Sequence, residues 1–211
     1  MSELLIAPEQ DRIAPVRGRT RWRRFVVMFV PSVLVVGGII VAMATGAIGA
    51  SFAVSGQSFK ISADHLHGTG FRQFSGVDVT AGGSSIPVAT TVIDDASITN
   101  LCQSVNVPNP FGMKIVLRVE AGGGGHPASA KGLVIGMTNL QGNATFTNIQ
   151  IGRDAGQLSG NSALSGTFGQ SADAVDIDNL KQSATSTSAG TFALIGLDLA
   201  VQTGQNAHEC F

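Results

Sequence analysis

The sequence predicts an all-β exported domain preceded by one transmembrane helix. Only 13% of the 211 residues are charged and 27 are glycine, a composition that disfavours a helical bundle and is typical of short strands joined by many turns. An uncharged run at 25–54 follows a basic segment. We therefore expect a basic cytoplasmic segment at 1–24, a transmembrane anchor or signal segment at 25–54, and an extracytoplasmic β domain at 55–211.

The charge is distributed unevenly along the chain. Residues 1–24 carry six arginines and three acidic residues, a net charge of +3, whereas residues 55–211 carry seven basic and eleven acidic residues, a net charge of -4. A domain that binds nucleic acid usually presents a basic surface. The predicted β domain is acidic, so nucleic acid is not expected as a partner.

The uncharged run is long enough to cross a membrane, because about 20 apolar residues span a bilayer as a helix. Five arginines lie between Arg17 and Arg24, and basic residues beside a span favour the cytoplasmic side. The sequence therefore predicts a single-pass protein of the cell membrane that contacts the lipid bilayer through 25–54. The alternative is a secreted protein, because Ala42-Met43-Ala44 resembles a signal-peptide cleavage site.

Two cysteines, Cys102 and Cys210, are the only ones in the chain. An even number of cysteines in an exported protein indicates disulfide pairing. The sequence therefore predicts one disulfide, which would hold the last residues of the chain.

An Asn-Leu pair recurs three times at almost even spacing, with leucines 39 and 40 residues apart. The members are Asn100-Leu101, Asn139-Leu140 and Asn179-Leu180. Each follows a short alternation of apolar and polar residues, so the motif is interpreted as the end of a strand, with the leucine in the core. Asparagine suits such a place because it adopts left-handed conformations readily.

The segments that follow each motif also alternate, in 113–119, 145–151 and 191–201. The repeat therefore predicts hairpin units of about 40 residues and about eight strands in all. These would form a curled antiparallel sheet or a sandwich. A parallel β-solenoid with stacked asparagines is the alternative architecture.

Motifs for catalysis are weak throughout the chain. The sequence contains no G-x-S-x-G, no phosphate-binding glycine loop and no H-E-x-x-H. His65 and His67 would share one face of a strand, which makes them weak candidates for a metal site. A polar strand edge is the simpler interpretation, so we expect no metal, no other cofactor and no catalytic residues.

The chain contains the segments RWRRFVVMFVPSV, GASFAVSGQSFKISADHLHGTGF and LIGLDLAVQ. These segments resemble an uncharacterised actinobacterial family of membrane-tethered, exported, glycine-rich proteins. Some members of that family are labelled cholesterol esterase. The resemblance implies an envelope protein held at the membrane and supplies no catalytic residues to assign here.

These observations favour a membrane-anchored extracytoplasmic module with a non-catalytic binding or structural role in the cell envelope, its partner being an envelope lipid or protein. Two alternatives are a lipid-binding protein, with apolar residues along a curled sheet, and a lipid-ester hydrolase resembling a cholesterol esterase. A metal-dependent enzyme using His65 and His67 is a further hypothesis.

Overall fold

The computed structural model describes most of the predicted β domain and a few residues before it. The described residues are 55–108 and 112–211, together with Trp22, Phe25–Val27, Phe29–Pro31 and Val33. Those before Ser55 are helical, and no helix within the described residues is long and apolar enough to span a bilayer. Most of the predicted anchor at 25–54 lies outside the described residues.

The described domain is all-β, as the sequence predicts. Nine strands form one sheet: β1 (Phe59–Val79), β2 (Ser85–Thr99), β3 (Leu101–Asn106), β4 (Ile115–Ala121), β5 (Ala128–Thr147), β6 (Gln150–Asp154), β7 (Phe168–Ser188), β8 (Thr191–Ala193) and β9 (Asp198–Thr203). Every pairing between these described strands is antiparallel. The parallel solenoid is therefore wrong.

Four long strands close on one another to form a ring. β1 pairs with β2 and with β7, and β5 pairs with the same two strands, so each strand of the ring has two neighbours. The main core cluster, which includes Ile93, Leu133 and Val175, comes chiefly from these four strands. Closure gives the long strands partners on both sides, which removes the free edges that an open sheet would present.

The buried residues of these strands do not follow a spacing of two. On β1 they are Ile61, Ala63, Leu66, Gly68, Phe71 and Phe74, so the intervals are two, three, two, three and three residues. On β2 the intervals alternate between three and two residues. A regular strand turns successive side chains to opposite faces, so each interval of three marks a place where the inward face changes.

The first two changes of face on β1 coincide with a left-handed residue opposite an aspartate. Asp64 lies opposite both Asn100 and Asn179 in the register of its two neighbouring strands, and both asparagines have positive φ, at 51° and 54°. Farther along β1, Gly70, with φ of 67°, faces Asp94. A Cβ at Gly70 would lie 2.1 Å from the Asp94 carboxylate, so only glycine fits there.

The residue after the left-handed position points into the core at four places. Phe71, Leu101, Leu133 and Leu180 follow Gly70, Asn100, Gly132 and Asn179, and all four are 1–4% exposed. We call each such pair, a left-handed residue followed by a buried one, a left-handed step. Asn100-Leu101 and Asn179-Leu180 are two of the four, and the other two begin with glycine.

The third Asn-Leu pair behaves differently and corrects the predicted repeat. Asn139 is not among the described residues with positive φ, and Leu140 is 38% exposed. Leu140 and Leu180 both lie inside long strands rather than at strand ends. The predicted unit of strand, turn and strand is therefore wrong, and the shared Asn-Leu letters describe two different local structures.

Candidate binding surface

A smaller sheet extends from one end of the ring, and we call it the wing. It consists of the first residues of β1 with β3, β4 and β9, paired in that order. β3 continues β2 beyond Asn100 and keeps the same register against β1. β9 pairs with β4 alone among the described strands, so it forms the outer edge of the wing.

Directly opposed residues on neighbouring strands share a face, which assigns the two faces of the wing. One row across it is Phe59, Val105, Leu117 and Val201, and the next is Ile61, Gln103, Val119 and Leu199. These two rows hold no charged residue. They belong to the same face as the core of the ring, because Ile61 is part of that core.

The outer part of this face is open to solvent. Val201 is 64% exposed and Leu199 is 59% exposed, and Leu117 and Val119 on β4 are half-buried. We define the apolar wing face as Val105, Leu117, Val119, Leu199 and Val201. Isolated exposed apolar residues are common, whereas a contiguous group of them marks a contact surface.

The opposite face of the wing carries its charges. Its rows are Lys60, Ser104, Arg118 and Ala200, then Ser62, Cys102, Glu120 and Asp198. Arg118 and Glu120 form an ion pair along β4. The charged and apolar residues of the wing are thus separated between its two sides.

The C-terminal tail packs on the charged side. Cys210 forms a disulfide with Cys102, with the two Cα atoms 5.9 Å apart, which confirms the predicted pairing. The backbone N–H of Cys210 also donates to Ser104 Oγ at 3.0 Å, and that serine is 1% exposed. The tail thereby satisfies a buried hydroxyl that would otherwise be costly to bury.

Lys60 holds the end of the tail. Its ammonium group lies 3.1 Å from Glu209 Oε2 and donates to the carbonyl oxygen of Phe211 at 2.8 Å. It also lies 5.2 Å from the centre of the Phe211 ring. Partly exposed ion pairs contribute little stability, so the disulfide is the main restraint and these contacts orient the last residues.

His65 and His67 pair with carboxylates across the β1–β7 ladder. The Nδ1 atom of His65 lies 2.7 Å from Asp178 Oδ1, and that of His67 lies 2.7 Å from Asp176 Oδ1. All four side chains are substantially exposed. The part of the chain that the structure describes contains no group of three or more residues placed to hold a metal ion. The arrangement is a surface ladder of His-Asp pairs.

The interior of the ring leaves little room for a ligand. A cavity of about 20 Å³ lies among Ile61, Leu133, Leu180 and Gln182. A site for one water needs roughly 10–15 Å³ of such space. The core thus has room for a water molecule and none for an acyl chain. We therefore take the apolar wing face, on the surface of the domain, as the candidate surface for binding.

The carboxylate of Asp154 organises the loop that follows β6. Asp154 Oδ1 accepts a hydrogen bond from the backbone N–H of Gly156 at 2.7 Å, and Oδ2 accepts one from Gly166 at 2.8 Å. The bond from Gly166 is the largest cause that lowers the pKa of Asp154 below its ordinary value of 3.8. Asp154 also caps the short helix Ala155–Ser159, so one ionised side chain fixes both ends of the loop.

The sequence contains a signal for the wing face, although by itself that signal predicts a buried face. The alternation in 113–119 and 191–201 does place Leu117, Val119, Leu199 and Val201 on one face, as the two strands show. That alternation is usual for a strand with one buried face. Here Val116, on the other face, is fully buried, because the C-terminal tail lies on that side.

Residues 55–211 match the model of a family described as a family of unknown function, DUF6230. The chain belongs to this family. The matched range coincides with the predicted β domain and includes the ring, the wing and the C-terminal tail. No curated protein matches the chain, and no solved structure matches it.

Proposed function

We propose that the protein is a membrane-tethered extracytoplasmic module with a non-catalytic binding role in the cell envelope, and that the apolar wing face is its binding surface. The observation that carries this proposal is the separation of the wing into two sides. The tail covers the charged side, while Leu199 and Val201 remain exposed on the other. An exposed apolar surface is costly to maintain in water. This cost favours a surface that is covered by a binding partner.

The disulfide supports the extracytoplasmic part of the proposal. Disulfides persist in oxidising compartments and are rare in the cytosol. Cys102 and Cys210 are joined, and no free cysteine remains in the chain. The basic segment before the uncharged run at 25–54 supports an orientation with the N-terminus inside.

The topology is tested with an impermeant thiol reagent on intact cells. Ser58→Cys lies just before β1 and should be labelled, whereas Ser2→Cys should be protected. Both variants are also labelled after the cells are opened, which controls for reactivity. Labelling at Ser2 with protection at Ser58 would reverse the orientation. A mature protein that begins near Thr45 would show a secreted protein instead of a tethered one.

A further inference from the structure

We propose that the apolar wing face rests on the outer surface of the lipid bilayer and inserts its aliphatic side chains among the lipids. This deepens the proposed function and rests on it, since it names the partner of the same surface. Three features of the domain favour a lipid surface over a protein partner.

The first feature is the composition of the face. Its five residues are valine and leucine, and the two rows, which Phe59, Ile61 and Gln103 complete, contain no arginine. Arginine is one of the usual anchors at the centre of protein interfaces. A purely aliphatic surface suits acyl chains, which offer no hydrogen-bonding partners.

The second feature is where the charges lie. Arg118, Glu120 and Asp198 are on the side of the wing that the tail covers. Insertion of the apolar wing face would therefore leave every charged side chain of β4 and β9 in water. Carrying an ion into an apolar phase is prohibitive unless it is paired, and this geometry avoids that cost.

The third feature is the place of the wing along the chain. The uncharged run ends at Val54, and β1 begins at Phe59. Phe59 stands in the same row as Val105, Leu117 and Val201. The four residues between Val54 and Phe59 span at most roughly 14 Å when extended. The chain therefore enters the sheet, from the side of the predicted anchor, at a row that continues across the wing.

Amphipathic helices that lie on a membrane bury their apolar face about 5–10 Å into the boundary between headgroups and acyl chains, and we expect a similar depth for the wing face. That depth can be read with a single tryptophan, because the chain has one Trp and no Tyr. The full-length protein with Trp22→Phe gives a dark background in reconstituted vesicles. Val201→Trp then reports on the wing face. Val77→Trp is the matched control, since Val77 is an equally exposed apolar residue at the other end of β1, at 59% exposure.

We expect the emission of the Val201→Trp protein to shift to the blue and to lose intensity in vesicles whose lipids are brominated near the headgroup end of the acyl chains. The Val77→Trp protein should emit to the red and keep its intensity. Leu199→Trp provides a second reporter on the same face, and peptide mapping of the Cys102–Cys210 disulfide confirms that each variant is folded.

Other results would overturn the proposal in distinguishable ways. Red, unquenched emission from both wing reporters in a protein that floats with the vesicles would leave the tether intact and exclude lipid contact. Blue emission without quenching would show that a protein surface, such as a second copy, covers the face. Equal quenching of Val77→Trp would exclude a specific role for the wing. A chain that fails to float with vesicles would contradict the proposed function itself.

Discussion

Asn100 donates a side-chain hydrogen bond to the carboxylate of Asp64 at 2.6 Å, from a left-handed backbone conformation. The two residues face each other where β2 ends and β3 begins. The same pairing recurs between Asn148 and Asp173 at 2.7 Å, again with positive φ at the asparagine. An amide that bonds to an opposing carboxylate holds the asparagine in a conformation that most side chains avoid.

Two substitutions separate the stability that Asn100 contributes through its left-handed conformation from the stability that it contributes through its hydrogen bond. Asn100→Gly loses the bond to Asp64 and keeps an easy left-handed backbone, whereas Asn100→Ala also takes on a left-handed cost of about 1–2 kcal/mol. Alanine should therefore destabilise the protein more than glycine does, as measured by urea unfolding. The matched control is Asn139, which lacks a positive φ. There glycine should be no better tolerated than alanine, and the opposite ranking would contradict this explanation.

The three Asn-Leu leucines should differ in their importance. Leu101→Ala and Leu180→Ala remove side chains that are 4% and 2% exposed, and each should lower the free energy of unfolding by about 2–5 kcal/mol. Leu140→Ala should change it by less than about 0.5 kcal/mol, as for surface positions. Equal losses at all three sites, measured by denaturant unfolding, would favour a true structural repeat.

Loss of the disulfide should weaken the whole domain. It closes a loop of 108 residues, and the chain-entropy model gives about 4.7 kcal/mol for a loop of about 100 residues. Cys210→Ala should lower the thermal midpoint of the domain. A reducing agent should lower the wild-type midpoint similarly and leave the variant unchanged. A wild-type protein that is insensitive to reduction would show that the bridge contributes little.

Asp154 should stabilise the loop after β6 only while it is ionised. Its folded pKa is lowered from 3.8, mainly by the hydrogen bond from Gly166. The stabilisation is therefore fully present above the unfolded value and is lost as the pH falls through the lower folded value. The difference in thermal midpoint between wild type and Asp154→Ala should be full at neutral pH and should narrow below pH 3.8. A difference that stays constant down to strongly acidic pH would contradict a role for the carboxylate charge.

The purified protein should not hydrolyse short-chain or sterol esters at an enzymatic rate. Nucleophilic hydrolysis by serine requires an activating base within hydrogen-bonding reach. The Nδ1 atoms of His65 and His67 are paired with Asp178 and Asp176. Each Nε2 atom lies outside these hydrogen bonds, but among the described residues no serine hydroxyl is hydrogen-bonded to either ring. Turnover can be followed with chromogenic and sterol esters. Activity that disappears in His65→Ala or His67→Ala would overturn the non-catalytic role.

Composition and local pattern determined the broad features of the domain. Sparse charge, abundant glycine and alternating segments such as 113–119 indicated antiparallel strands, because these properties reflect local backbone preferences and turns. The pairing of Cys102 with Cys210 followed from their being the only two cysteines. The asymmetry of charge followed from counting. None of these inferences depends on which side of a strand faces the core.

Tertiary structure decided which residues are buried. The left-handed steps at Gly70, Asn100 and Asn179 change the inward face of their strands. A strict alternation of buried and exposed residues therefore predicts the wrong face beyond each step. The wing shows the same limit. Val116 and Val201 both lie in apolar alternations, yet only Val116 is covered, because the tail held by Cys210 lies on its side. Burial depends on what packs against a face, and that is set by strands and a disulfide far apart in the sequence.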